Sequence, residues 1–209
     1  MVYKTSYSKD IPPPPKKNRD KSDIFLSVDI ERILKIDEIG EVFKVKFKLY
    51  LTWMDARLSY RNMKQNANLN VLRGDAQKKL WTPETIFSNT EDSDRSKIDG
   101  ESLIRALPNE ENLYRTSDKS ETQTVQYFQG AENFLQLSRS YKINFICSYD
   151  MALYPFDTQT CSMDFEQDEV ILFACFHYLS NKFKKGRIFL LKSITTIVLY
   201  HNSFFFEAV

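Results

Sequence analysis

The chain has 209 residues, enough for one or two domains, and its 29 Lys+Arg against 28 Asp+Glu leave a formal charge of +1. That balance argues against a nucleic-acid surface and against an acidic partner. Sixteen Phe, eleven Tyr and 42% apolar residues favour a β-rich globular protein, and only five Gly leave the turns to Asn, Asp, Ser and Pro.

Residues 1–23 read as a disordered Pro/Lys-rich linker. Pro12, Pro13, Pro14 and Pro15 favour an extended polyproline course, and Lys16, Lys17, Arg19 and Lys21 follow. Residues 1–17 hold no apolar signal core, so a signal peptide is expected upstream of this chain. The ordered domain is expected to begin near Ile24. Residues 27–36 read as a strand: Val28, Ile30, Leu34 and Ile36 alternate with polar residues, and Arg32 breaks the apolar side. Residues 36–40 form the turn.

Residues 41–53 carry the cleanest period. Phe43, Val45, Phe47, Leu49, Leu51 and Trp53 take the odd positions, and Lys44, Lys46, Lys48, Tyr50 and Thr52 the even ones. Period two means one buried face and one wet face. Residues 55–70 are polar and mixed. Residues 81–87 are a short apolar segment broken by Pro83, hence an edge or an irregular loop. Residues 88–100 and 115–124 read as surface loops, 102–107 as a short strand, and 128–133 as an extended loop or hairpin. In residues 138–147, Tyr141, Ile143, Phe145 and Cys147 share one face; Ser138, Ser140, Lys142 and Asn144 share the other. Cys161, Met163 and Phe165 alternate again.

Residues 168–209 change character, with a basic cluster at 182–187 and an apolar stretch at 188–206. Lys192 and His201 interrupt that stretch, which weighs against a membrane helix despite its suitable length. We read this stretch as an anomalous tail with an alternative or misassembled origin. Among the three cysteines, Cys147 and Cys161 are close in sequence and Cys175 stands apart, which implies one disulfide and one free thiol. Such a bond would staple the ends of two alternating strands and belongs to an oxidising compartment. His177 and His201 are too few for a metal site, and no Ser-His-Asp or Cys-His arrangement or Gly-rich phosphate loop is present. The chain is therefore read as a non-enzyme with no cofactor and no metal.

Thirteen residues separate Cys147 from Cys161, with Tyr154, Pro155, Phe156 and Asp157 between them. This resembles the signature of the Cys-loop, or pentameric ligand-gated, ion channels. Trp53-Met54-Asp55-Ala56-Arg57-Leu58 resembles the family's W-x-D-x-R-L motif. Leu80-Trp81-Thr82-Pro83-Glu84-Thr85 resembles L-W-x-P-D-T, with Glu84 in place of Asp. Ile36-Asp37-Glu38 resembles the turn after the first strand. The likeness covers residues 26–167.

The resemblance implies an all-β fold, an immunoglobulin-like Greek-key sandwich of the nicotinic-receptor type, in residues 24–167 and truncated before its last strands. It implies an extracellular position at the plasma membrane, and partners that are a small-molecule agonist and other channel subunits in a homo- or hetero-pentamer. Membrane attachment would run through pore helices missing here. The function implied is agonist binding at a subunit interface, coupled to pore opening. Alternatives are a soluble pentameric binding protein and a non-conducting structural or dominant-negative subunit.

Carried over residue by residue, Lys48, Tyr50, Ser138 and Ser140 face the cleft from one side. Ile86, where the family often has an aromatic residue, belongs to the other, and Glu166 aligns with a carboxylate or aromatic-loop position just after the second cysteine. Tyr154, Pro155, Phe156 and Asp157 take the coupling role at the membrane-facing end. Plainer readings stand beside these: Trp53, Asp55, Arg57, Trp81 and Pro83 as a structural motif, Lys44, Lys46 and Lys48 as a solvated strand face.

Overall fold

A computed structural model describes residues 1–3, 7–15, 22–91, 95–96, 101–109, 126–152, 158–166, 170–178, 189–190, 195–200 and 203–208. In chain order the strands are β1 (Val2–Tyr3), β2 (Ser22–Asp37), β3 (Val42–Met54), β4 (Leu58–Arg61), β5 (Val71–Leu72), β6 (Ile86–Phe87), β7 (Leu103–Leu107), β8 (Tyr127–Gln129), β9 (Phe134–Ile146), β10 (Thr158–Met163), β11 (Phe165–Glu166), β12 (Val170–Tyr178), β13 (Phe189–Leu190), β14 (Thr195–Tyr200) and β15 (Ser203–Ala208). The helical parts are one 3-10 turn, Ala67–Leu69, and the four-residue α1, Asp75–Lys78. The class is all-β.

The frame is a seven-stranded sheet in the order β13-β12-β2-β3-β9-β7-β5. Its centre is β3, whose odd residues are all buried and whose even residues are all half-buried. β2 and β9 flank it antiparallel, in continuous register with β9 from Val42↔Ile146 to Met54↔Phe134. The inner face packs on the β6–β11 pair through aromatic edges. Phe47 meets Phe87 at 5.9 Å and Phe165 at 6.1 Å, and Phe87 meets Phe145 at 6.3 Å. Such edge-to-face contacts add to simple burial. The result is two layers around one core, a sandwich.

The expected strand at 27–36 is longer, and its phase differs. Two register shifts, between Ile30/Arg32 and Ile33/Lys35, interrupt the pairing of β2 with β3. A bulge inserts a residue and turns the following side chains over. Arg32 thereby escapes to solvent and Ile33 takes its place against the core, while Leu34 and Ile36, expected inside, are 39% and 40% exposed.

Residues 55–70 hold more order than their polarity implied. Leu58 and Tyr60 of β4 are buried at 0% and 3% exposure, and β4 pairs with both β1 and β8. The stretch 128–133 is the end of β8 plus a tight turn into β9. Gly130 is required there, because a Cβ would stand 2.2 Å from the Asp55 carbonyl oxygen. The Tyr60 hydroxyl is buried with no hydrogen-bond partner, and burial pushes its pKa up. A stranded buried polar group costs about 1–3 kcal/mol. Tyr60→Phe is therefore expected to raise stability by about 1 kcal/mol in urea denaturation, against the usual direction for a core substitution.

Described parts of residues 1–23 pack on the sandwich. β1 pairs with β4, Pro13 is buried, and Ser22 Oγ donates to the Pro13 carbonyl. Past residue 168 strands continue: β12 runs parallel to β2 from Val170↔Ser22 to Tyr178↔Ile30, and β14 pairs with β10 and β15. Among the described residues no helix is long and apolar enough to cross a membrane.

Candidate functional site

The strongest constraint on the site is the register of β3 with β9. Tyr50 lies opposite Ser138, and Lys48 opposite Ser140. Opposed residues share a face, and so do residues two apart. All four therefore gather on the outer face of the large sheet. Lys48 Nζ sits 5.2 Å above the Tyr50 ring, within cation–π range. Ser138 is nearly closed off at 4% exposure, while Ser140 is open to solvent. Asp29 of β2 stands opposite Lys48 and Leu103 of β7 opposite Ser138, so the patch spans four strands.

One row further along, Thr52, Gln136 and Arg105 are aligned. Arg105 donates to Gln136 Oε1 from Nε at 3.0 Å and Nη2 at 2.6 Å, and to Asn68 Oδ1 from Nη1 at 2.7 Å. Gln136 Nε2 in turn donates to Thr52 Oγ1 at 3.4 Å. The guanidinium is thus oriented by neutral amide oxygens beside Tyr50 and Ser138. Sequence reasoning did not single out Arg105. Its only signal was the alternation of Leu103, Arg105 and Leu107 in a short strand.

Ile86 and Glu166 are also brought together. They pair directly across β6 and β11, while their neighbours Phe87 and Phe165 point into the core. Alternation therefore turns Ile86 and Glu166 outward, away from the sheet that carries Tyr50. The two groups lie on opposite outer faces of the sandwich and do not converge within one chain. Arg95 bridges Ile86 in backbone pairing, and its guanidinium reaches Glu84 at 3.5 Å. Near Glu166, burial holds the Asp164 carboxyl above the usual carboxylate range; a Ser162 hydrogen bond opposes this and the Glu166 charge adds to it.

Cys147 and Cys161 form a disulfide with Cα atoms 5.3 Å apart, both buried. A second fastening lies beside it, which the sequence did not disclose. Asn89 accepts from Ile146 N on its carbonyl at 2.8 Å, donates Nδ2 to the Ser162 carbonyl at 2.8 Å, and accepts from Asp164 N on Oδ1 at 2.9 Å. Nδ2 also reaches the Ile146 carbonyl at 3.5 Å, so Asn89 ties the end of β9 to β10 through both its backbone and its side chain. Cys147 N also donates to the Glu41 carbonyl at 2.8 Å, joining this end to the β2–β3 turn. Tyr154, Pro155, Phe156 and Asp157 lie outside the described residues.

Trp53, Asp55, Arg57 and Trp81 form a corner. Asp55, 1% exposed, accepts from Arg57 Nε at 2.8 Å, Nη2 at 2.7 Å and backbone N at 3.0 Å. The Trp53 and Trp81 rings meet edge to face at 6.1 Å, and Pro83 is buried next to them in sequence. Among the described residues no three His, Cys, Asp or Glu side chains gather to hold a metal ion. The outward faces offer cations, hydroxyls and an aromatic ring, a chemistry suited to recognition.

Comparison with known proteins extends these observations. Residues 2–169 match the model of the neurotransmitter-gated ion-channel ligand binding domain. The chain is 26% identical over 147 residues to the probable ligand-gated ion channel 46 of Caenorhabditis elegans, covering 69% of this chain and 24% of that protein. It is 25% identical over 142 residues to the acetylcholine receptor subunit alpha-type acr-7 of the same organism, covering 68% and 22%. To the glutamate-gated chloride channel subunit beta of Haemonchus contortus it is 22% identical over 165 residues, covering 77% and 33%. The chain spans about a quarter of the length of the first of these relatives.

Proposed function

Because the chain belongs to the neurotransmitter-gated ion-channel ligand-binding-domain family, we propose that it is the extracellular agonist-binding part of a channel subunit. In this reading one subunit presents Lys48, Tyr50, Ser138 and Ser140. Its neighbour in a pentamer presents Ile86 and Glu166, and the agonist binds between them. Tyr154, Pro155, Phe156 and Asp157 then pass the bound state towards a pore. The domain division is 24–167 for the binding sandwich, with 1–23 leading into it and 168–209 a tail of different origin whose β12 extends the large sheet beside β2.

The observation that carries this reading is the placement of the two groups on opposite outer faces. The first is two opposed pairs across the β3–β9 ladder, the second a single pair across β6 and β11. A head-to-tail ring brings one face against the other and closes. Binding there would favour one arrangement of the subunits over another, which is what gating needs.

Two measurements test it. Cysteines placed by Tyr50→Cys and Glu166→Cys in the same chain should yield ladders of disulfide-linked oligomers under mild oxidation, and each single variant should not. In an oligomer that binds acetylcholine, γ-aminobutyrate or glutamate, Tyr50→Ala should weaken binding by roughly 30-fold, the scale of an aromatic anchor. Saturable binding that survives both Tyr50→Ala and Glu166→Gln unchanged would remove the reading.

A further inference from the structure

We propose that the N-terminal segment builds a second small-molecule site on the sandwich, one that takes a carboxylate carried on a planar ring. It is separate from the faces of Tyr50 and Glu166 and does not depend on the agonist reading. A shallow surface depression, open to solvent and offering about 280 Å³, is lined by Tyr3, Tyr7, Lys9 and Lys79. That is at the small end for a ligand pocket, the size for a single ring rather than a nucleotide or a peptide.

The walls are fixed from the framework. Tyr3 belongs to β1 and pairs with Leu58, and its hydroxyl donates to the Ala76 carbonyl at 3.4 Å. Tyr7 is held from two sides. Its oxygen accepts the Trp81 amide at 2.7 Å, and the Arg57 guanidinium lies 4.8 Å from its ring centre. The two rings stand 4.9 Å apart at 52°, a tilted pair in contact. Since the Tyr7 oxygen is the acceptor towards Trp81, its own O–H is left to donate elsewhere. A phenol is protonated at neutral pH, and burial raises the Tyr7 pKa further.

The cations come from two directions. Lys79 closes the C-terminus of α1 and Lys9 follows Tyr7 along the N-terminal segment. Among the described residues neither makes an ion pair. Two exposed lysines alone would be an ordinary solvated surface. Here they flank a shallow recess with two tyrosines, a hydroxyl donor and, among the described residues, no carboxylate in its lining. A carboxylate satisfies the donors, the ring it is attached to covers the tyrosines, and a cation of the same size is repelled by both lysines.

The full chain, titrated with benzoate and followed by the NMR signals of the tyrosine rings, tests this. Saturable shifts of Tyr3 and Tyr7 are expected. Lys9→Gln and Lys79→Gln should each weaken binding about threefold and the pair about tenfold, as exposed charge contacts do. Benzylamine, with the same ring and the opposite charge, should give no saturable shift. Lys48→Gln should leave the response intact, which separates this site from the agonist face. Both lysines are exposed, so the variants should fold, and circular dichroism checks that. The proposal is overturned by an absent benzoate response, by a folded double variant that binds like the parent, by equal binding of benzylamine, or by loss of the response in Lys48→Gln.

Discussion

Asp55→Ala is expected to destabilise the domain by about 3–5 kcal/mol, the cost of leaving a buried charge without its partner. The carboxylate is 1% exposed and receives three N–H groups, all from Arg57. The Asp55 carbonyl also accepts Leu58 N at 3.1 Å, which closes the turn into β4. With the side chain gone, the guanidinium stays inside, its charge unanswered. Arg57 in turn holds the N-terminal segment, donating to the Ile11 carbonyl at 2.9 Å and the Ser8 carbonyl at 3.4 Å. Loosening should therefore spread to residues 7–15, and hydrogen exchange there should accelerate together with the drop in urea midpoint. Removing both charges with Asp55→Ala and Arg57→Leu should recover part of the loss, because the stranded cation is then absent. A single variant that unfolds within 0.5 kcal/mol of the parent, a surface-like value, would show that the corner is not the clamp described.

How much of this was legible beforehand differs by element, for physical reasons. β3 could be read residue by residue because both neighbours are long antiparallel strands, so nothing disturbs its period. β2 could not. Its two register shifts move the apolar phase without leaving a turn residue as a mark, and Arg32 on the apolar side was the only trace. β4 was hidden because two buried residues, Leu58 and Tyr60, are too few to show a period. At the site, family likeness had placed Lys48 and Tyr50 on one strand and Ser138 and Ser140 on a neighbouring one, but which residue faces which came only from the register, Tyr50 opposite Ser138 and Lys48 opposite Ser140. Arg105 and Asn89 stayed hidden because their roles depend on what distant strands bring to them. Arg105 meets Asn68 and Gln136, and Asn89 meets Ile146, Ser162 and Asp164. No local pattern records such contacts.

Removing the disulfide by Cys147→Ser together with Cys161→Ser is expected to cost about 3 kcal/mol, the chain-entropy value for a loop of roughly fifteen residues. The loss should leave the fold in place, because the same strand ends have other fastenings. Ile146 N still donates to the Asn89 carbonyl, and Cys147 N, a backbone group that Ser keeps, still donates to that of Glu41. Reductant should lower the unfolding midpoint of the parent to that of the double variant and leave the double variant unchanged. A sharper outcome follows from Asn89, whose Nδ2 donates to the Ser162 carbonyl of β10 at 2.8 Å and to the Ile146 carbonyl of β9 at 3.5 Å. With the bond present, the chain stays closed when Asn89→Ala removes those contacts. Without it, Asn89 is what remains to hold β9 and β10 at that end. Asn89→Ala should therefore cost more in the Ser/Ser background than in the parent, a coupling of the size seen for groups sharing one network, about 0.5–3 kcal/mol. Strict additivity would mean that the two fastenings hold different parts of the structure, with the end of β9 kept in place by its backbone bonds to Asn89, Glu41 and β3.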